Sequence, residues 1–496
     1  MNYSILLTTS VAAPVLALLA MLLWPTMPKR AAKGAALLAS GYAMVSAAIL
    51  WYAYYTQSLK GFAFTSYEFS TEKLPLPVFG LNGISCIMFA MASIVGFAAV
   101  LGTKTDMVKN YKSYMALIMA ALCGLLGMFA SMNMLFAYIF HEFAMVPTFL
   151  ATVYWGSEGR RSAAMQMAIY LTLGALISLV GIVALFQFSG AQSFNIGDLI
   201  SASTAQLANA KEASGLVFSL CVVGFGILIS VFPFHSWAFK GYTAAPTAFS
   251  MMHAGVLKKF GFYMLLQLVI PALPWAANEY MGYVALAALF NVVLIGVLTM
   301  AQGDLKMMFS YSSVSHIGMC MLGLSTLSVL GAGAAALFAF GHGLSIALLF
   351  YISNIIINKA KTSDMDDMGG LISKAPVLCA FFLAAVLAGI GLPGFANFWG
   401  ELGVFAALFG YNQIYCAIAA LGLIISAIYG LRAVARVFFG PAKPQYNGIT
   451  DISALEKLPA IVLLLALLFV GFFPKSVTTL LSSDLSQTSV FQQNIK

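Results

Sequence analysis

Apolar stretches of about twenty residues follow one another along this chain almost from its first residue to its last, and nothing else in the sequence narrows so sharply what it can fold into. About twenty apolar residues are what a helix needs to cross a hydrocarbon layer of roughly 30 Å. The runs are continuous rather than alternating, which argues against a transmembrane barrel and for helices that satisfy their own backbone hydrogen bonds. The runs lie near 4–24, 34–55, 83–102, 112–131, 133–154, 163–187, 215–237, 246–270, 280–301, 306–325, 329–358, 376–408, 412–437 and 457–474. They predict an all-α polytopic membrane protein of about fourteen spans in a single membrane domain, residues 1–496. Composition agrees: 61% of the 496 residues are hydrophobic and 8% charged, against roughly 25% charged in a soluble domain. No stretch is left for a soluble domain. The first run lacks a basic lead-in and an A-x-A-like cleavage site, so it reads as a retained helix.

The 24 lysines and arginines order these spans. Numbered in turn, the odd loops hold seventeen, from Lys29, Arg30 and Lys33 to Arg436, Lys443 and Lys457, whereas the even loops and the termini hold Lys60, Lys73, Lys211, Lys475 and Lys496. This asymmetry predicts cytoplasmic odd loops and both termini on the outer side. The net charge of +8 is then mainly a topology signal and not a nucleic-acid patch. Two cations remain, Lys258 and Lys259, both in the middle of the eighth span.

Among the sixteen carboxylates two stand out. Glu142, in "FHEFAMVP", lies about 14 Å along the fifth span at 1.5 Å per residue, and Glu401 follows the break in "GLPGFANFWGELGVF". A charge at mid-bilayer costs about 2.5–3.5 kcal/mol on insertion scales, so such groups face a bundle interior or water and mark ion pathways; a structural ion pair between helices is the plainer alternative. All five histidines, His141, His235, His253, His316 and His342, lie in or at the edge of apolar spans. Imidazole both donates and accepts protons near neutrality, which suits a relay between buried acid and amine, although any one of them also reads as a core residue. The six cysteines are far apart with no C-x-x-C, and no nucleotide-binding fingerprint occurs, so neither a metal centre nor a nucleotide site is indicated. Driving energy has to come from a partner or an ion gradient.

Two spans are interrupted, the seventh at "SVFPFHSW" and the twelfth at "GLPGFANFW", and their prolines, Pro233 and Pro393, are 160 residues apart. That is five spans of about 32 residues, and an odd number of spans per unit forces the two units into opposite orientations. Broken helices at matching positions are where transporters present backbone groups to an ion.

The segments "FHEFAMVP", "FPFHSW", "APTAFSMMHAGVLKKFGFYML", "GDLKMMFSYSSVSHIGMCMLG", "GHGLSIALLF", "DMDDMGGL" and "GLPGFANFWGE" resemble, in order and spacing, the antiporter-like proton-pumping subunits of respiratory complex I, most closely the subunit M (chain 4) branch. The resemblance is specific over about residues 80 to 440. It implies fourteen helices with two inverted five-helix repeats and broken helices seven and twelve. The chain then divides into three N-terminal spans (1–111), a first antiporter-like repeat (112–270), a second, inverted repeat (280–437) and a C-terminal span and tail (438–496). By position, Glu142 resembles the family's span-five glutamate, Lys259 the span-eight lysine and Glu401 the terminal acidic residue, with His316 and His342 on the central hydrophilic axis. A glutamate at 401 favours subunit M over the L and N types and over Mrp-type antiporters, where lysine is typical. Lys258 is expected to be auxiliary, since adjacent helical residues point about 100° apart.

The same resemblance implies no redox centre in this chain. Quinone, iron–sulfur clusters and flavin or another donor site are expected in partner subunits: L-, N- and K-type membrane chains and a hydrophilic redox module. Two departures stand out. The family's span-seven lysine falls on Leu228, and "WAFKGYTAAPT" carries Lys240 and Tyr242 where the family has an acid and a histidine. Either His235 or His141 serves the input side, or the subunit pumps differently, or it does not pump. A cation/proton antiporter, a hydrogenase-linked membrane subunit and a purely structural membrane subunit are the alternatives.

Overall fold

A computed structural model of the chain describes residues 2–66, 78–106, 108–441, 443–446 and 448–492; the predicted outer-side cations Lys73 and Lys496 lie outside these residues. The described residues form nineteen helices: α1 (Tyr3–Leu23), α2 (Lys29–Thr56), α3 (Gly83–Gly102), α4 (Tyr111–Ala130), α5 (Met134–Trp155), α6 (Arg160–Ser189), α7 (Ile196–Gln206), α8 (Lys211–Leu228), α9 (Ser236–Ala244), α10 (Thr247–Ala272), α11 (Pro274–Met300), α12 (Leu305–Ser325), α13 (Val329–Ala360), α14 (Pro376–Gly389), α15 (Ala396–Tyr411), α16 (Gln413–Phe438), α17 (Ala454–Phe472), α18 (Lys475–Leu485) and α19 (Ser489–Gln492). Twelve of them are long and apolar enough to cross a membrane. With α12, whose serines lower its hydropathy, and the broken pair α14/α15, they match the fourteen expected spans.

Polar side chains start many of these helices. Asn82 and Ser85 form a capping box at α3, Ser453 and Glu456 another at α17, and Asn133, Asp304, Ser328 and Asn412 accept backbone N–H groups at α5, α12, α13 and α16. In an apolar setting these caps matter, because the first four N–H groups of a helix have no intrahelical acceptor. α10 and α13 form the centre and are buried along their apolar length, whereas α16 turns most of its surface outward, as does α6. Outward positions such as Leu38, Ile139, Val180 and Ile414 are exposed and apolar, as contact with lipid requires.

The span predicted over 215–237 is a helix that ends at Leu228, a turn through Ser230 (φ +62°) and Pro233, and the first two residues of the short α9, which runs on past the predicted end to Ala244. Asn291 on α11 holds this break: its Oδ1 accepts the Phe232 N–H at 2.6 Å, and its Nδ2 donates to the carbonyls of Ser230 (3.1 Å) and Val314 (3.0 Å). The span predicted over 376–408 is likewise two helices separated by Gly391 (φ +79°) and Gly394 (φ +104°). Each broken helix packs along its predecessor, α8 against α6 and α15 against α13. Three of the helices, α7, α18 and α19, have no counterpart among the predicted spans.

The cationic loops gather at one end. There Lys104 pairs with Glu456 (2.6 Å), Arg436 with Asp366 (2.8 Å), and Lys112 donates to the carbonyls of Trp24 and Pro25. At the other end α18 lies against the start of α3. Its buried Asp484 accepts the N–H of Gly83, the N–H of Gly61 at 3.0 Å and the Tyr54 hydroxyl at 3.2 Å. Burial raises the Asp484 carboxyl above its ordinary value, against the opposing pull of these donors.

Candidate polar axis of the membrane interior

The centre of α10 is not a regular α-helix. Residues His253–Leu257 form a π-helical turn, in which the Lys258 N–H reaches the His253 carbonyl at 3.1 Å. One inserted residue turns the following side chains by about 100°. The two lysines that follow are fully enclosed, with 1% and 0% of their surface exposed, and they point to different partners. Lys259 Nζ donates to the Ala254 carbonyl of its own helix at 2.5 Å. Lys258 Nζ reaches α12, donating to the Ser313 carbonyl at 2.8 Å and to Ser313 Oγ at 3.2 Å, and it lies 5.6 Å from the centre of the Tyr242 ring. The lysine expected to be auxiliary is therefore the one bonded to the neighbouring helix.

From Ser313 the polar contacts continue. Its Oγ lies 3.3 Å from His342 Nε2 on α13, and His342 stacks on His316 of α12 with ring centres 5.1 Å apart. His316 Nδ1 donates to the Ser312 carbonyl at 2.8 Å; the carbonyl can only accept, which places a proton on that nitrogen. Ser312 Oγ in turn bonds Tyr429 Oη of α16 at 2.7 Å. Two small cavities flank His316, each of about 10 Å³, on the scale of a single water molecule. One touches His342, Ser345 and Tyr429; the other touches Ser315, Ser426 and Glu401.

Glu401 sits in the second turn of α15, buried to 6% exposure. The break that precedes it also shapes its pocket. A Cβ at Gly391 would collide with the Glu401 carboxylate, and Gly391 already holds a left-handed conformation that favours glycine. One turn before Glu401, Asn397 donates to Ser345 Oγ at 3.2 Å. Lys258, His342, His316 and Glu401 thus lie along one buried polar route through α10, α13, α12 and α15.

The remaining candidates are not on it. Glu142 is 42% exposed on the outward face of α5, with its Oε1 3.4 Å from His141 Nδ1. His141 itself is buried and stacks on Phe260 at 4.6 Å. His235 begins α9 against the Phe232 ring, and its Nδ1 has no hydrogen-bond partner among the described residues. His253 lies between Trp237 and Tyr242 with both nitrogens in the same condition. Leu228, at the end of α8, is buried in the apolar core.

Sequence reasoning missed Ser312, Ser313, Ser345, Asn397 and Tyr429. The signal for the first two was present in "SYSSVSH", where Ser312 and His316 stand one helical turn apart in a span that should otherwise be apolar. Tyr429, 117 positions from Ser312, carries no such mark.

A family model described as "NADH:quinone oxidoreductase/Mrp antiporter, TM" matches residues 131–428, which contain Lys258, His316, His342 and Glu401. The chain is 29% identical over 401 residues to NADH-quinone oxidoreductase subunit M of Rickettsia bellii, covering 80% of each protein. It is also 29% identical over 489 residues to NAD(P)H-quinone oxidoreductase chain 4 1 of a Picosynechococcus species, covering 95% of this chain and 90% of the relative. In fold it is similar to a chain of respiratory complex I from Thermus thermophilus, with a TM-score of 0.85, 24% identity and 99% of both chains covered. It is similar too to a chain of an archaeal membrane-bound sulfane sulfur reductase, with a TM-score of 0.82, 24% identity and 93% of this chain and 75% of that one covered. The family match takes in more than half of the chain and both broken helices, and this protein belongs to the NADH:quinone oxidoreductase/Mrp antiporter transmembrane family.

Proposed function

We propose that this chain is a proton-translocating membrane subunit of a complex I-like donor:quinone oxidoreductase, moving protons through its interior in response to electron transfer carried out elsewhere in the complex. The observation that carries this reading is the buried route from the α10 lysines through His342 and His316 to Glu401. Buried amines, imidazoles and carboxyls are each driven toward their neutral forms, so a small approach or retreat of an opposite charge loads or unloads a proton. Stacked imidazoles between an amine and a carboxyl supply groups that exchange protons near neutral pH. Lys259, Lys258, His342, His316 and Glu401 form the proton path in this reading, with Glu142, His141 and His235 on its input side.

Glu142 faces out of the chain, and a bare carboxylate against lipid at that depth is costly. This supports a neighbouring membrane subunit of the L, N or K type seated on α5. The redox centres (quinone site, iron–sulfur clusters and flavin or another donor site) belong in this reading to partner chains, with a hydrophilic module on the cationic, cytoplasmic side and both termini outside, in a bacterial inner or other energy-converting membrane. The two inverted repeats, 112–270 and 280–437, are supported by the matching packing of the broken helices.

Glu401→Gln tests the function. In inverted membrane vesicles supplied with the native donor, NADH or reduced ferredoxin, the variant complex should assemble and pass electrons while its proton-to-electron ratio drops. An assembled variant with an unchanged ratio overturns the reading. Sodium/proton exchange by the chain alone, without any electron donor, would favour an autonomous antiporter instead.

A further inference from the structure

The two adjacent lysines of α10 are equally buried but not equally connected. Lys258 Nζ is held by two oxygens of Ser313 and by the face of Tyr242, a ring that favours an ammonium in a dry setting. Ser313 Oγ stands between Lys258 and His342, 3.2 Å from one nitrogen and 3.3 Å from the other. An ammonium can only donate to that oxygen, so the serine proton is free to point at His342 Nε2. Lys259, by contrast, spends its short hydrogen bond on a backbone carbonyl of its own helix, an acceptor that leads nowhere.

We propose that Lys258, not Lys259, delivers protons from α10 to the histidine pair, and that the Ser313 hydroxyl is the atom through which they pass. This rests on the proton-translocating reading above and assigns one of its steps. In the step, an N–H bond of the Lys258 ammonium breaks as an O–H bond forms at Ser313 Oγ. The original Ser313 O–H breaks as an N–H bond forms at His342 Nε2. Lys258 ends neutral and His342 ends as imidazolium, with no electrons exchanged. His316 stacks on that imidazolium, and it lines both the cavity it shares with His342 and the one that touches Glu401. Lys259 acts in this scheme on Lys258: two ammonium groups in one dry interior repel, so charging Lys259 favours release from Lys258.

The test compares Lys258→Met, Lys259→Met, His342→Ala and Ser313→Ala, singly and with Lys258→Met paired to His342→Ala, in inverted vesicles holding the assembled complex. Proton uptake is read against electron transfer from the native donor. Lys258→Met and His342→Ala should each lower the ratio about tenfold. Their combination should be no worse than either alone, because both interrupt one path. Ser313→Ala, which removes one hydroxyl and leaves both lysines in place, should slow uptake several-fold without altering assembly. Normal pumping in Ser313→Ala, or in Lys258→Met when Lys259→Met abolishes pumping, overturns the assignment and leaves the proton-translocating function standing. If none of the four variants changes the ratio in an assembled complex, the assignment falls together with that function. Should Lys258→Met fail to assemble, the serine variant decides alone.

Discussion

The half of the molecule built on α4 to α10 and the half built on α11 to α16 contain equivalent breaks in their fourth helices, yet their interiors are chemically different. In the second half, serines, a tyrosine and two histidines meet between α12, α13 and α16, and the carboxylate is enclosed beside them. In the first half, the ring nitrogens of His253 and the Nδ1 of His235 have no hydrogen-bond partner among the described residues, Leu228 closes the end of α8 with hydrocarbon, and the carboxylate of Glu142 looks outward. A proton crosses a dry interior only where donors and acceptors stand within hydrogen-bond reach. The second half holds such groups in two sets, Ser313 with His342 and Ser312 with His316 and Tyr429, joined by the stacking of the two imidazoles; on the proposed reading the first half would need another chain against α5.

The largest expected effect tests how firmly the second half is built. Gly391→Ala forces a residue with a Cβ into a left-handed conformation and against the Glu401 carboxylate. The backbone strain alone is worth about 1–3 kcal/mol. The variant should lose pumping to the same extent as Glu401→Gln, and an assembled variant with normal coupling would show that the position of this carboxylate is unimportant.

Glu142→Gln probes the contrast from the other side. On the isolated chain in detergent the change should leave thermal stability within about 0.5 kcal/mol, as for an exposed position. In the full complex it should weaken pumping or the grip of the neighbouring subunit. Equal behaviour of wild type and variant in both settings would remove Glu142 from the path.

Asp484→Asn, at the outer end, should loosen α18 by about 1–3 kcal/mol, because an amide cannot replace both oxygens that accept N–H and O–H donors here. Faster hydrogen exchange at the start of α3 and along α18, with unchanged pumping, is the expected record. Since burial raises this carboxyl in the folded protein, the fold binds its proton more tightly than the unfolded chain does. Docking of α18 should therefore weaken as pH rises through that raised value.

The smallest effect belongs to His253→Phe. The ring lies between Trp237 and Tyr242 and no hydrogen bond to another described residue is lost, so stability should change by less than about 1 kcal/mol and pumping should persist. A large loss of pumping would mean that the first half carries protons through this imidazole after all.

The spans and both breaks were legible in the sequence because each is a local property: twenty apolar residues, a Pro-Phe pair, a Pro-Gly pair. Glu401 and Lys259 were legible too, as charges in places where a charge is expensive. The facing of Glu142 was not. A carboxylate in an apolar span is expected to face the bundle interior, but the inward face of this helix carries His141, Thr148 and Thr152 and leaves Glu142 outside. Nor were the partners of Lys258 and Lys259: α-helical geometry separates the two by about 100° but does not say that Lys258 meets Ser313 of α12 while Lys259 turns to its own helix.

The sequence by itself determined that this chain is a bundle of membrane-crossing helices, which of them are broken, and that amines, imidazoles and the carboxyl of Glu401 lie inside the bundle. These follow from hydropathy, chain length and backbone chemistry, all readable within a window of about twenty residues. Only the tertiary structure decided which of those groups meet. The π-helical turn at His253–Leu257 sets the direction of Lys258, and the packing of α12 against α13 and α16 brings Ser313 to His342 and Ser312 to Tyr429 across 29 and 117 positions of chain. Hydrogen bonds act over about 3 Å, and no property of a single segment specifies which distant segment will come that close.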